Sequence, residues 1–170
     1  MIVLMVKKLD DVRADRLRQS LPDWILLSSQ TFHVASLAVS STYNERMPVE
    51  DICYLSQSAV EKAVKALLVS NGTKVEHKHD MQSLYRDVVE SENIPQMADS
   101  MADFRKACFS LDGYSSNTRY PHQSNNFSES DAISAFCAAE TVLRWVFERL
   151  PEELVAAHMH IFEKNIGQSL

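Results

Sequence analysis

Val49-Glu50-Asp51-Ile52-Cys53-Tyr54-Leu55-Ser56-Gln57-Ser58-Ala59-Val60-Glu61-Lys62-Ala63-Val64-Lys65-Ala66-Leu67-Leu68-Val69-Ser70-Asn71-Gly72 is the stretch on which the fold turns. Ile52, Leu55, Ser56, Ala59, Val60, Ala63, Ala66 and Leu67 recur at helical spacing and make one buried stripe. Asn71-Gly72 ends it as a left-handed C-terminal cap. At ~100° per residue, Gln57, Glu61, Lys62 and Lys65 gather on the opposite, polar arc. The plain expectation for that arc is a solvated face with local ion pairs, each worth ~0.3–0.5 kcal/mol.

Working outward, the segments on either side are helical too. Ser20-Leu21-Pro22-Asp23 opens a helix over about Trp24–Ser41, because Ser caps, Pro fits a first turn and Asp suits the dipole. Tyr43–Pro48 ends it. A shorter helix is expected from Asp80 to Glu90, with Asp80 as cap and His79 a locally bonded residue just before it. Another runs from about Pro95 to Ser110. A fifth follows Ser128, with Ile133, Phe136, Cys137, Leu143, Val146, Phe147 and Leu150 as its apolar residues. Pro151 stops that helix and starts a last one at Glu152-Glu153. The expectation is an all-α, up-and-down bundle of four to five main helices plus a C-terminal helix. It divides into an arm (1–21), the bundle (22–150) and a C-terminal helix and tail (151–170).

Composition agrees with this reading. A length of 170 residues suits one domain, and 45% hydrophobic residues fill one core. Sandwiches and barrels consume Gly and Pro in their turns; here there are 3 and 5. A net charge of -6 without a basic run argues against gripping duplex DNA. No apolar run approaches the ~20 residues of a membrane helix, and Met1–Val6 is too short for a signal core. Cys53, Cys108 and Cys137 are scattered and sit in apolar surroundings, as small core residues of a reducing, cytoplasmic compartment do.

Chemistry is concentrated in the irregular segment Leu111–Phe127, which holds Tyr114 and then Arg119-Tyr120-Pro121-His122. Pro121 forces Tyr120 into an extended conformation, so Arg119 and Tyr120 project sideways. A guanidinium matches phosphate and a phenol ring can stack on a base. His77/His79 and His158/His160 lack a completing carboxylate or Cys cluster, so no metal and no resident cofactor is expected. Trp24, Trp145 and the scattered Phe and Met residues read as core or dimer contacts.

Taken in order, Gln57-x-x-x-Glu61-Lys62-x-x-Lys65, Gly72, His79-Asp80 and Arg119-Tyr120-Pro121 resemble the HEPN family (higher eukaryotes and prokaryotes nucleotide-binding) over roughly residues 22–150. The resemblance implies a helical bundle that usually forms homodimers. It further implies nucleotide binding, RNA cleavage, or pairing with a minimal nucleotidyltransferase. The nuclease branch carries Arg, four to six residues, then His; none of the chain's nine arginines has a histidine at that distance.

Three readings follow. In the first, a non-catalytic or weakly active module binds a nucleotide or RNA end through Arg119, with Glu61, Lys62, Lys65, His79, Tyr114 and Tyr120 around it, partnering a nucleotidyltransferase in a toxin–antitoxin or similar pair. In the second, Arg119 and His122 form a metal-independent RNase of altered spacing. In the third, the chain is a structural interaction module, and Arg119 bridges to Glu61 to fasten the loop to the bundle.

Overall fold

The computed structural model describes residues 20–40, 46–73, 75, 79–94, 101–114 and 127–163. They form α1 (Leu21–Ser40), α2 (Val49–Ser70), α3 (Met81–Ser91), α4 (Ala102–Ser110), α5 (Glu129–Phe147), and two single turns, α6 (Glu152–Val155) and α7 (His160–Glu163), around a 3-10 turn at Ala156–His158. None of these helices is long and apolar enough to cross a membrane. The all-α bundle expected from the sequence is the fold observed.

Most ends form where the sequence places them; α5 stops at Phe147, ahead of Pro151, and short turns follow in place of a continuous last helix. Pro22 lies within the first turn of α1, and the Trp24 amide donates to the Ser20 carbonyl. Gly72 has φ 74°, its amide donates to Val69 O and that of Thr73 to Leu68 O, so α2 closes with a Schellman cap. α3 ends in the same way at Asn93, φ 52°, whose short polar side chain tolerates the left-handed region. Ser128 caps α5 in a box with Asp131: the Asp131 amide donates to Ser128 Oγ, and the Ser128 amide to Asp131 Oδ2.

α2 is the axis of the bundle, packed against α1, α5 and α3. α3 starts beside the middle of α2, where Gln57 meets His79, and ends beside its C-terminus, where Asn71 meets Ser91. α4 returns alongside α3. Aromatic rings tie the layers. Phe32 of α1 stacks on Phe136 of α5 at 4.8 Å, and Phe104 of α4 meets Trp145 of α5 at 4.1 Å. Phe162 closes one end against Phe32 and Phe147, which brings the C-terminal turns into the same core.

Two expectations need correcting. The polar arc of α2 is not a solvated face, since Gln57 and Lys65 are both buried. With helices on three sides, the axial helix keeps only part of its surface in water, at half-buried positions such as Ser58, Glu61 and Lys62. On α5, Ile133 and Cys137 point outward, and Cys137 is no core residue. The helix instead turns the small residues Ala132, Ala135 and Ala139 inward together with Phe136 and Phe147. Small side chains let a neighbouring helix approach closely and leave no room there for larger ones.

Candidate functional site

Gln57, Glu61 and Lys65 lie four residues apart, so one row on α2 carries an amide, a carboxylate and an ammonium in succession. The carboxylate is the hub. Glu61 Oε1 accepts from Lys65 Nζ at 2.7 Å and from His79 Nδ1 at 2.9 Å. Gln57 Nε2 donates to the His79 carbonyl at 3.2 Å, so two members of the row hold one residue by ring and backbone. The expected local bond of His79 is therefore a contact across 18 residues of chain.

Exposure is graded along this set. The Lys65 side chain is 6% exposed, that of Glu61 14% and that of His79 56%. The Lys65 ammonium also lies 5.9 Å from the centroid of the Trp24 ring on α1. Burying a charge is expensive, and each partner here makes the other tolerable. Glu61 and Lys65 cancel as ions, so the carboxylate can still orient the imidazole. An ionised carboxylate only accepts hydrogen bonds, so Nδ1 is the donor. The other ring nitrogen, Nε2, is the one that Glu61 leaves unengaged on a ring more than half exposed.

The start of α3, next to His79, is already satisfied. Asp80 accepts from the amides of Gln82 and Ser83 and from the Ser83 hydroxyl. The Ser83 hydroxyl bond is the main reason the Asp80 carboxyl is held below its ordinary range. Asp112, at the end of α4, accepts from the Met81 amide at 3.0 Å and from Gln82 Nε2 at 3.1 Å. With two carboxylates on its first amides, this helix terminus offers nothing to an anion.

The remaining candidates separate. Lys62 Nζ donates to Ser58 Oγ one turn earlier on α2 at 2.6 Å and to Thr31 Oγ1 of α1 at 3.3 Å; burial lowers its pKa. Tyr114 lies near Cys53 and Asp131, its ring edge-on to Phe127 at 5.2 Å, and burial raises the pKa of its hydroxyl. Cys53 is eight residues before Glu61, about 12 Å along the helix. Tyr114 and Lys62 thus stand outside the Glu61–Lys65–His79 set. Arg119, Tyr120 and His122 fall outside the described residues, as does the proposed Arg119–Glu61 bridge. Sequence reasoning did not name Gln57 as a site residue or give Trp24 a polar neighbour; the four-residue spacing of Gln57, Glu61 and Lys65 was the signal for the former. Among the described residues no three His, Cys, Asp or Glu side chains gather to hold a metal.

Fold and site together define a helical bundle whose axial helix carries a buried ion pair and, through it, an oriented surface histidine. The HEPN domain family model matches residues 23–152, and the chain belongs to that family. It is similar in structure to an archaeal HEPN homologue known from its crystal structure, with TM-score 0.55 and 27% sequence identity, covering 76% of this chain and 96% of that chain. No curated protein matches the sequence.

Proposed function

We infer that the chain is a nucleotide- or RNA-binding module without catalytic activity of its own, and that His79 presents Nε2 to the ligand. The observation that carries this is the shared carboxylate oxygen of Glu61, which holds Lys65 on one side and His79 on the other. A buried ion pair is a poor device for stability alone, since apolar residues of the same size do as well or better. Fixing the ring of a surface imidazole gives it a use. An imidazole held by a carboxylate at Nδ1 is set to accept from a base or ribose hydroxyl at Nε2, or to donate to a phosphate when protonated. Lys65 is spent on Glu61, and Lys62 and Tyr114 stand apart from His79, so in this reading phosphate contact falls to Arg119, with Tyr120 as a further ligand contact. Family membership supports a minimal nucleotidyltransferase as partner, tested by co-purification from the native host.

Calorimetric titration of AMP and of a short single-stranded RNA tests the role of His79. His79→Asn retains a donor near the Nδ1 position and loses the outward nitrogen, whereas His79→Gln does the reverse. Binding should fall about tenfold or more, ~1.4 kcal/mol, in His79→Asn, with the melting temperature retained, and should survive in part in His79→Gln. Unchanged affinity in His79→Asn would overturn the assignment. Incubation of RNA without metal tests the absence of catalysis, since cleavage lost in Arg119→Ala or His122→Ala would make the chain an RNase.

A further inference from the structure

Lys62 lies outside the Glu61–Lys65–His79 set, and its surroundings differ in kind from those of Lys65. Lys65 meets a carboxylate at 2.7 Å. The Lys62 ammonium is held by three neutral oxygens instead: Ser58 Oγ at 2.6 Å, the Ser58 carbonyl at 3.4 Å and Thr31 Oγ1 at 3.3 Å. From Trp24 to Ser40, α1 supplies no Asp or Glu to pair with it, and His33 is the one titratable side chain of that stretch. Burial is the largest influence on the amine and favours its neutral form; Glu61 and Lys65, on its own helix, follow and oppose each other. An ion-paired ammonium has no lone pair to offer, whereas a lysine drawn out of water beside a second cation is a nucleophile.

The two hydroxyls beside Lys62 are not equivalent. Thr31 gives its own proton to the Leu27 carbonyl at 2.6 Å, so towards Lys62 it only accepts. Ser58 Oγ accepts from Lys62 and, among the described residues, gives its proton to no protein oxygen. It therefore has a proton to pass on once Nζ has lost one of its own. Thr31, Ser58 and Lys62 are all half-buried, so the amine is reached from the surface between α1 and α2. The neighbours one turn away on each helix are aliphatic: Leu27, 46% exposed, four residues before Thr31, and half-buried Leu55, three before Ser58. A short alkyl group suits such borders better than a charged one does.

We propose that Lys62 is an acylation site, whose amine takes the short aliphatic acyl group of a thioester and keeps it as an amide between α1 and α2. Nζ first gives one proton to water and then attacks the thioester carbonyl carbon. The C–N bond forms, the C–S bond breaks, and the thiol leaves with the second proton of the nitrogen, passed on through Ser58 Oγ. The amide that remains is neutral and retains one N–H, so the chain becomes more negative by one charge. The proposal does not rest on the nucleotide-binding reading, since Lys62, Ser58 and Thr31 stand outside the Glu61–Lys65–His79 set.

The test incubates the full chain with the acetyl thioester of N-acetylcysteamine over a range of pH. Mass spectrometry of the peptides then follows acetylation of Lys62 and of Lys106, an exposed lysine on α4. Near neutral pH Lys62 should react about threefold faster than Lys106 or more, because the desolvated amine is the more readily neutral of the two. In urea the two rates should become equal, and the Lys62 rate should reach its plateau at higher pH than in the folded chain. Ser58→Ala should lower the Lys62 plateau about threefold or more through loss of the proton relay, and Ser58→Thr should keep it. A Lys62 that reacts no faster than Lys106 at every pH overturns the proposal. So does an advantage that persists in urea, or a Lys62 rate indifferent to Ser58→Ala.

Discussion

Replacing Glu61 by alanine removes the acceptor shared by Lys65 and His79 and leaves the Lys65 ammonium, on a side chain 6% exposed, without its carboxylate. Breaking one side of a buried pair typically costs about 3–5 kcal/mol. Glu61 is 14% exposed and its other partner is a surface ring, so water relieves part of that loss; the lower end, about 3 kcal/mol, is the expected value. For a chain of this length, at ~2–4 °C per kcal/mol, the melting temperature should fall by roughly 6–12 °C. Lys65→Met alone should cost less, about 1–2 kcal/mol, because Glu61 keeps His79 and some access to solvent. The double variant Glu61→Leu/Lys65→Met replaces the pair by apolar groups and should lie within about 1 kcal/mol of the natural chain. With Glu61→Leu added as the matching single variant, expected to lose about 3 kcal/mol as well, urea denaturation followed by circular dichroism measures all four on one scale, and the expected coupling is about 3 kcal/mol or more. A Glu61→Ala loss under about 1 kcal/mol, or singles that simply add in the double, would refute the buried-pair reasoning.

The α3 cap should behave as a cap. Asp80→Ala is expected to lower stability by ~1 kcal/mol in the same denaturation assay. Because the Asp80 carboxyl is held below its ordinary range, the contribution is complete above the unfolded carboxylate pKa and disappears as pH falls through the folded one; the natural chain and Asp80→Ala should therefore converge in stability on acidification. For the cysteines, a thiol-reactive dye should label Cys137 in the folded protein and reach Cys53 and Cys108 only on unfolding. Both are buried, and burial pushes the Cys53 thiol up to about 12; mass spectrometry of the labelled peptides checks the order.

Much of the fold was legible because its punctuation is local. Gly72 after Asn71, Asp80 ahead of α3 and Ser128 ahead of α5 each act within a few residues, so their chemistry can be read without knowing what surrounds the helix. The burial of Gln57 and Lys65 was not legible for the opposite reason. Periodicity sorts one helix into faces, but says nothing of how many neighbours cover them. α2 is flanked by α1, α3 and α5, which bury Gln57 and Lys65 and leave Glu61 and Lys62 half-buried. The same blindness applied to α5, where three alanines, weak as a hydrophobic signal, face inward and Ile133 does not. On α1, which carries apolar residues on both sides, the pattern marked a helix without saying which side is left open. His79 was legible as a helix-start residue, while its partner lay 18 residues away in sequence, beyond any local rule.

Nitrogen-15 spectra of the histidine rings, recorded while AMP and then a short single-stranded RNA are added, test the role given to the Glu61-held imidazole most directly. The account predicts a saturable shift of the His79 Nε2 resonance, with the ring of His33, an exposed residue of α1, unchanged. A His79 ring whose resonances stay fixed while the protein demonstrably binds either ligand would contradict it.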